Sequence, residues 1–386
     1  MKTAVVIPKH GLLGGAESFS YELCERLAEH EGLEIHVFAN QWYRGNSPII
    51  FHKLPIIPFP RFIKPISFAY FSRKRIPLHD YDLIHTHAPI FRMDLLTMHG
   101  IPHESWIREV RQKSPSLFDR STSWIEGKGL RGPPIPIVMP VSSLVKGELM
   151  KHYDIPASRI RVIHPGVSTE RFPLGHREKC RHEIRQRHGL SSNDIVCIFV
   201  GMNFEVKRLE LVIRGIAGLR KAEGTRVRLK LLVVGKGSVE RYRQMAYDLD
   251  ISDSVVFAGV RHDVERYLLA SDFFAMPSVF DTFGLAVLEA LAAGLPVIVS
   301  RSVGACDLIE EGEQGFILGD NPSPDDFGEK LAALLNAENR MKMGEKAREV
   351  ALRHTWRHKA DELLDCYRMS ASEKHNKGER ARRPRP

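Results

Sequence analysis

Two carboxylates eight positions apart, Asp281 and Glu289, mark the stretch of this 386-residue chain with the most evident chemistry, residues 277–300. Pro277 and Ser278 follow the apolar run 273–276 and read as a loop. Leu285, Leu288, Leu291 and Ala292 then recur at the three-to-four spacing of one buried helix face. Gly294 ends that helix, Pro296 lies just beyond, and 297–299 reads as the next buried strand. Asp281 therefore falls in the loop ahead of the helix and Glu289 within it. Such a helix start suits an anionic sugar nucleotide. The N–H groups of Phe283, Gly284 and Leu285 can meet a pyrophosphate, Gly284 keeps the approach clear of a side chain, and the flanking carboxylates can accept hydrogen bonds from sugar hydroxyls. The same spacing also fits a buried strand–loop–helix unit whose Asp and Glu are simply solvated.

The elements that must position these groups follow from the apolar pattern. In the second half, strands are expected at 195–200, 229–234, 255–258, 273–276 and 297–299, alternating with helical stretches. That alternation predicts a parallel sheet covered on both faces. In the first half, 3–8, 34–39, 83–87, 95–99 and 137–141 read as strands, and Ser142 caps a helix running to about Tyr153. The loop 10–15, HGLLGG, leads into a helix with Phe19, Leu23, Leu27 and Ala28 on one face. Its glycines do not form G-x-G-x-x-G, which argues against a dinucleotide. His85 and His87 would point to opposite faces of an extended strand, which argues against a two-histidine metal site. His99 closes its strand at the carboxyl end, where α/β sheets bind ligands. Prolines in 55–78 exclude one long helix there. Segment 104–136, rich in Arg, Lys, Ser, Trp and Gly, has no clear pattern.

Composition narrows the class. Apolar residues make up 43% and charged residues 27%, values of a globular protein of about two domains. No run approaches the roughly 18 apolar residues of a membrane span, and the N-terminus reads as a strand rather than a leader. Five scattered cysteines without C-x-x-C spacing fit a reducing compartment, so a cytoplasmic protein is expected. The net charge of +9 comes with no nucleic-acid-binding motif, and no nucleic-acid partner is expected. A solvated basic surface, or contact with an anionic membrane or acceptor, accounts for it. Arg61, Lys64, Arg73, Lys74 and Arg75, then Arg108, Arg111, Lys113 and Arg120, lie among aromatics in 55–78 and 104–136, suited to peripheral contact on the inner face of a membrane.

The pattern D-x-F-G-x-x-x-x-E-A-x-A-x-G-x-P-V, from Asp281, resembles the E-x7-E signature of retaining glycosyltransferases of family 4, with Asp281 where the family usually has Glu. Gly14-Gly15-Ala16-Glu17 resembles the start of these enzymes. G-M-N-F-E-V-K-R, from Gly201 to Arg208, resembles their G-R-x5-K-G loop, with Met202 in place of the phosphate-binding Arg and Arg208 in place of Gly. Residues 261–264 resemble the loop around the nucleotide base. Within the family, 151–153 and 259–270 look most like bacterial lipopolysaccharide core glucosyltransferases.

The resemblance implies the GT-B fold: α/β, with two Rossmann-like, doubly wound parallel-sheet domains facing across a cleft. The expected parts are an acceptor-binding domain at 1–172, a nucleotide-sugar-binding domain at 173–353, a helix at 354–369 that returns to the first domain, and a disordered basic tail at 370–386. It implies transfer of a hexose, glucose from UDP-glucose by this likeness, to a glycan or lipid-linked acceptor in lipopolysaccharide core or other cell-envelope synthesis. The implied catalytic residues are Asp281, His99 and Lys207. The implied donor-binding residues are Gly14, Gly15, Gly201, Lys207, Arg208, Asp281, Phe283, Gly284, Leu285 and Glu289. No cofactor and no metal are expected, since no D-x-D closes a strand and Lys207 can supply the cation's charge. A sugar-phosphate phosphorylase or epimerase on the same fold, and a non-catalytic glycan- or nucleotide-binding protein, are the alternatives.

Overall fold

A computed structural model describes residues 1–12, 14–77, 79–223 and 228–382, without the side chains of 223 and 376–382. The chain forms two compact units: Met1–Gly166 joined by the segment from Trp356 onward, and Val167–Thr355.

The first unit is built on six parallel strands: β1 (Lys2–Val6), β2 (Glu34–Ala39), β3 (Ile50–Lys53), β4 (Leu83–Thr86), β5 (Leu95–Met98) and β6 (Ile137–Pro140), in spatial order β3-β2-β1-β4-β5-β6. Every residue of β4, β5 and β6 is buried, as an unbroken apolar run requires when helices cover both faces. The helix Gly15–Leu27 buries Phe19, Leu23 and Leu27. The last helix, Trp356–Arg382, packs beside it and sets Trp356 edge-on to Phe19, ring centroids 5.5 Å apart.

Two segments of this unit differ from their sequence reading. The tail expected to be disordered is helical as far as Arg382. Its composition is polar, but Arg159 pairs with Glu373 at 2.9 Å and Lys374 with Asp94 at 3.1 Å, and these pairs pin the helix to the unit. Residues 383–386 lie outside the described residues. Segment 104–136 also resolves into structure. A π-helical stretch, Trp106–Arg111, ends at Gln112 in the left-handed region, φ 50°. The helix Leu117–Arg131 follows, opened by a Ser116–Asp119 capping box. It packs against the helix Ile63–Arg75, and the Arg61 guanidinium lies 5.4 Å from the Phe118 ring centroid. Two basic and aromatic segments, distant in sequence, thus form one surface.

The second unit repeats the scheme with β7 (Ile195–Gly201), β8 (Leu229–Gly235), β9 (Val255–Gly259), β10 (Phe273–Met276), β11 (Val297–Ser300) and β12 (Gly315–Leu318), all parallel, ordered β9-β8-β7-β10-β11-β12. Strand β12 was not anticipated. In both sheets the strand order therefore reverses between the first and fourth strands, the place where open α/β sheets characteristically bind ligands at the carboxyl edge.

A buried carboxylate in the first unit offers a test of the packing. Glu126 accepts hydrogen bonds from the Tyr153 hydroxyl at 2.8 Å and the His103 N–H at 3.1 Å, and burial pushes its carboxyl up to about 7. An unfolded Glu titrates near ~4.3. Between those values the folded state holds a proton that the unfolded chain has released, so this residue lowers stability as pH rises, by about 3 kcal/mol over the window. Glu126→Gln is expected to gain stability relative to the wild type by about that amount between pH 4 and pH 8 in urea unfolding. A pH-independent difference would count against it.

Candidate functional site

In the second unit the switch point lies between β7 and β10, and each strand delivers one charged side chain from its carboxyl end. The loop after β7 folds back on itself, Lys207 N–H donating to Asn203 O at 3.0 Å and Leu209 N–H to Phe204 O at 2.9 Å, before the helix Leu209–Glu223 begins. The loop after β10 carries Asp281. The Lys207 ammonium contacts Asp281 Oδ2, and both side chains are largely buried.

Backbone hydrogen bonds fix the Asp281 loop on two sides. Val279 N–H and the Ser278 hydroxyl both donate to Val206 O, at 2.8 and 3.0 Å, which ties it to the lysine loop. Asp281 N–H donates to Ser302 O at 2.9 Å, Gly304 N–H to Asp281 O at 3.0 Å and Ala305 N–H to Phe283 O at 2.7 Å, which ties it to the loop after β11. Gly284 then turns the chain into the helix Leu285–Ala292 with φ +87°. A Cβ there would lie 2.8 Å from Met276 Cε and 2.9 Å from Val303 Cγ1, so the position is closed to a side chain by both conformation and space.

The geometry corrects one expectation. The Phe283 N–H does not wait for a ligand, because it donates to Asp281 Oδ1 at 3.2 Å and thereby orients that carboxylate. The first-turn N–H groups of Leu285 and Ala286 have no carbonyl partner within the helix and are the donors left at its start.

Glu289 lies one turn on, half-buried. Burial raises its carboxyl above the usual range, opposed by the Arg171 guanidinium 3.8 Å away. Arg171 also pairs with Glu265 at 2.9 Å. Arg171 was not anticipated. It sits in a 3-10 turn, Thr169–Arg171, and no spacing rule links it to a carboxylate more than a hundred positions later.

The two departures from the family pattern have distinct placements. Met202 is 65% exposed. Arg208 adopts φ 53°, in the left-handed region where Gly is the usual occupant. Its side chain lines a separate cavity of about 460 Å³ together with Glu205, Glu210 and Arg241, so it does not join Lys207 at Asp281.

In the first unit, Gly14 and Gly15 lie at the turn into the first helix, as expected, with Gly14 its N-cap. His99 follows β5 and packs edge-on against Phe19, centroids 4.9 Å apart. Its Nε2 is 3.0 Å from His87 Nδ1. The sequence reading set His85 and His87 on opposite faces. The strand ends at Thr86, however, so alternation stops there and the two rings meet at 4.4 Å between centroids. His85 is held between Thr97 Oγ1 and the Tyr367 hydroxyl, each at 2.7 Å. Burial lowers His85 and His99 to about 3 and holds His87 well below the usual imidazole range, so all three are neutral. Among the described residues, no three His, Cys, Asp or Glu side chains are placed to hold a metal ion, and no helix is long and apolar enough to cross a membrane.

Comparison with known proteins gives two family matches: Glycosyltransferase Family 4 over residues 13–171 and Glycosyl transferases group 1 over 181–350. A D-inositol 3-phosphate glycosyltransferase of Corynebacterium glutamicum (strain R) is 31% identical over 240 residues, 60% of this chain and 57% of its own. The chain thus spans little more than half of that relative. A protein of the same name from Corynebacterium jeikeium (strain K411) is 25% identical across 93% of both chains. Among solved structures, WaaG, a glycosyltransferase involved in lipopolysaccharide biosynthesis, has a TM-score of 0.76 at 20% identity, covering 95% of this chain and 99% of its own. Anabaena HepE in complex with UDP-glucose has a TM-score of 0.68 at 17% identity, covering 95% and 100%. At these identities the structural likeness establishes a fold, GT-B.

The two positive-φ positions predict opposite responses. Gly284→Ala is expected to destabilise the protein by about 1–3 kcal/mol. Arg208→Gly should relieve the left-handed strain and stabilise it by about 1 kcal/mol. Chemical denaturation of both variants checks the pair, and equal signs would contradict the geometry.

Proposed function

Because this chain belongs to the family 4 glycosyltransferases, we propose that it moves a hexose from a nucleotide sugar to a glycan or lipid-linked acceptor with retention at the anomeric carbon. The observation that carries this reading is the Lys207–Asp281 pair, held at the switch point beside the start of the helix Leu285–Ala292. The lysine's charge is matched by Asp281. A diphosphate at the helix start would take over the ammonium and leave the Asp281 carboxylate to accept a hydrogen bond from a sugar hydroxyl. Glu289, half-buried and one turn further on, suits the ribose hydroxyls, with Arg171 fixing its orientation.

In the proposed reaction the bond between the anomeric carbon and the diphosphate oxygen breaks, and the electron pair leaves with the diphosphate. An acceptor hydroxyl forms the new bond on the same face and passes its proton to the departing phosphate oxygen. Lys207 and the first-turn N–H groups stabilise the charge that develops on the leaving group. His99, half-buried at the carboxyl edge and held neutral by desolvation, is proposed as a hydrogen-bonding group for a substrate hydroxyl in the first unit. No metal is assigned a role.

UDP-glucose is the proposed donor, supported by the likeness to HepE, described with that molecule. A lipopolysaccharide-core or other cell-envelope acceptor is supported by the fold likeness to WaaG. Attachment to the inner face of a membrane is supported by the surface of the first unit. There, Phe59 is 82% and Leu117 64% exposed near the starts of the helices Ile63–Arg75 and Leu117–Arg131, where the Arg61 guanidinium lies 5.4 Å from the Phe118 ring centroid. Aromatic and aliphatic anchors amid Lys and Arg are the composition that binds anionic lipid.

Lys207→Ala is expected to lower turnover of UDP-glucose by about 10²–10³-fold, with turnover by the wild type unchanged in EDTA. Product analysis showing inversion, or a requirement for a divalent ion, would overturn the assignment. Phe59→Ser combined with Leu117→Ser should reduce sedimentation with phosphatidylglycerol vesicles several-fold while leaving the thermal shift with UDP intact; unchanged sedimentation would refute the membrane surface.

A further inference from the structure

The opposite edge of the second unit's sheet carries a cluster of arginines that the donor site does not use. Asp272 immediately precedes β10, and Gly294 begins the loop from the helix Leu285–Ala292 toward β11. At these amino ends a cavity of about 470 Å³ is lined by Arg177, Arg340 and Arg348 among other residues. Two helices supply the cations. On Ala337–Arg353, Arg340, Gly344 and Arg348 recur every fourth residue and so share one face. Gly344 is central to this arrangement: a Cβ there would lie 2.6 Å from Gly294 O, so only glycine lets the helix approach closely enough to bring its arginines to the cavity. The helix Arg177–Arg187 contributes Arg177, with Arg181 one turn later.

The charges in this cluster do not balance. Asp272 is already engaged by Arg181 at 2.9 Å, Arg185 at 2.8 Å and the Val196 N–H at 2.6 Å. Arg177, Arg340 and Arg348 have no carboxylate within ion-pair distance among the described residues. Arg177 donates to Ala293 O, Arg348 to Ala292 O, and Arg340 to Leu334 O and Leu335 O at 2.6 and 2.8 Å. Each thus spends one guanidinium nitrogen on the carbonyls at a helix end and keeps its other donors. Glu345 and Glu349 also line the cavity, but both are exposed at its rim, and Glu349 lies within ion-pair range of Lys346 and Arg353. Burial lowers all three arginines from their ordinary value, opposed by Asp272 at Arg177 and Arg340 and by Glu170 at Arg348, none of them within ion-pair distance. Helix capping accounts for one nitrogen of each guanidinium. It does not account for three uncompensated cations converging on one cavity.

We propose that this cavity is a second anion site, distinct from the donor site and selective for phosphate groups, with Arg177, Arg340 and Arg348 as its ligands. The planar forks of arginine suit the oxygens of a phosphate monoester or diphosphate, whether borne by a soluble metabolite or by a lipid headgroup. The site lies at the amino edge of the sheet and the donor site at the carboxyl edge, so occupancy of one leaves the other open. The inference does not depend on the transferase reading.

The probe is inorganic pyrophosphate, titrated against the full chain at constant ionic strength and followed by thermal shift. Saturable stabilisation is expected in the wild type and in Lys207→Ala. It should weaken by about tenfold or more in Arg340→Gln with Arg348→Gln, which removes two charge-assisted contacts. Met341→Glu guards against misfolding of that variant, since Met341 is 60% exposed at the cavity and the change adds a negative charge without removing a helix cap. It should weaken the response in the same way while leaving UDP binding unchanged. A response abolished by Lys207→Ala but kept in both cavity variants would overturn the proposal, because the anion would then occupy the donor site. So would the absence of any saturable response. Vesicles containing phosphatidate, a lipid phosphate monoester, identify the source. Sedimentation that falls in Met341→Glu indicates a headgroup, and sedimentation that does not, beside an intact pyrophosphate response in the wild type, indicates a soluble phosphate.

Discussion

A single ion pair ties the second unit's site together. Lys207 and Asp281 come from loops on either side of the strand reversal, and the pair is largely withdrawn from water. Removing either partner from such an environment leaves an uncompensated charge, which is strongly unfavourable. The surrounding backbone is arranged accordingly. Val206 O receives two donors from the Asp281 loop, and residues 281–283 exchange three hydrogen bonds with 302–305. Three loops from three strands are therefore tied together. The site is held by main-chain bonds that any side chains could make, while the proposed chemistry rests on a few side chains.

The two units share a strand order and differ in how they equip the same place. In the second unit the carboxyl edge carries full charges, Lys207, Asp281, Glu289 and Arg171. In the first it carries His85, His87 and His99, all neutral through burial, against Phe19 and beneath the last helix through Tyr367. Charged groups suit a phosphate-bearing ligand, whose charge must be met. Neutral imidazoles beside aromatic rings suit hydroxyls and ring faces, where direction matters more than charge. One topology thus supports two kinds of recognition, and the difference lies in a handful of residues past the strand ends.

What could be read in the sequence follows the range of the forces involved. Five of the second unit's six strands were legible because buried parallel strands are written as apolar runs, whereas β12, only partly buried, was not. Asp281, Gly284 and Glu289 were legible because one helix start holds them at fixed spacing. Lys207 was legible only through its family pattern. Arg171 was not, because its partner Glu289 is adjacent in space and remote in sequence. The helical course of 370–382 was hidden for the same reason: local composition is polar, and its anchors, Arg159 and Asp94, come from elsewhere in the unit. His87 was misplaced by a strand that ends one residue sooner than alternation assumed. The Phe283 N–H was misjudged because a side chain two positions earlier folds back onto it, a local Asx-type bond that spacing does not reveal.

The departures from the family pattern can now be weighed against one another. Met202 brings no charge to the switch point, and Arg208, the nearest candidate to replace it, faces a cavity lined by Glu205 and Glu210. The loop keeps its backbone course even so, since Arg208 holds the left-handed conformation that a glycine would occupy without strain. In the proposed reaction the cationic role in that loop therefore falls on Lys207 alone. A lone lysine on a flexible stem is a point charge rather than a fork, so it can follow a diphosphate as charge moves onto the leaving oxygen. Geometric definition must then come from the groups that do not move: the Leu285 and Ala286 N–H groups, and an Asp281 carboxylate oriented by Phe283. A shorter acid at position 281 is compatible with this division, because the main-chain bond to its Oδ1 fixes the carboxylate where a longer side chain would have more freedom.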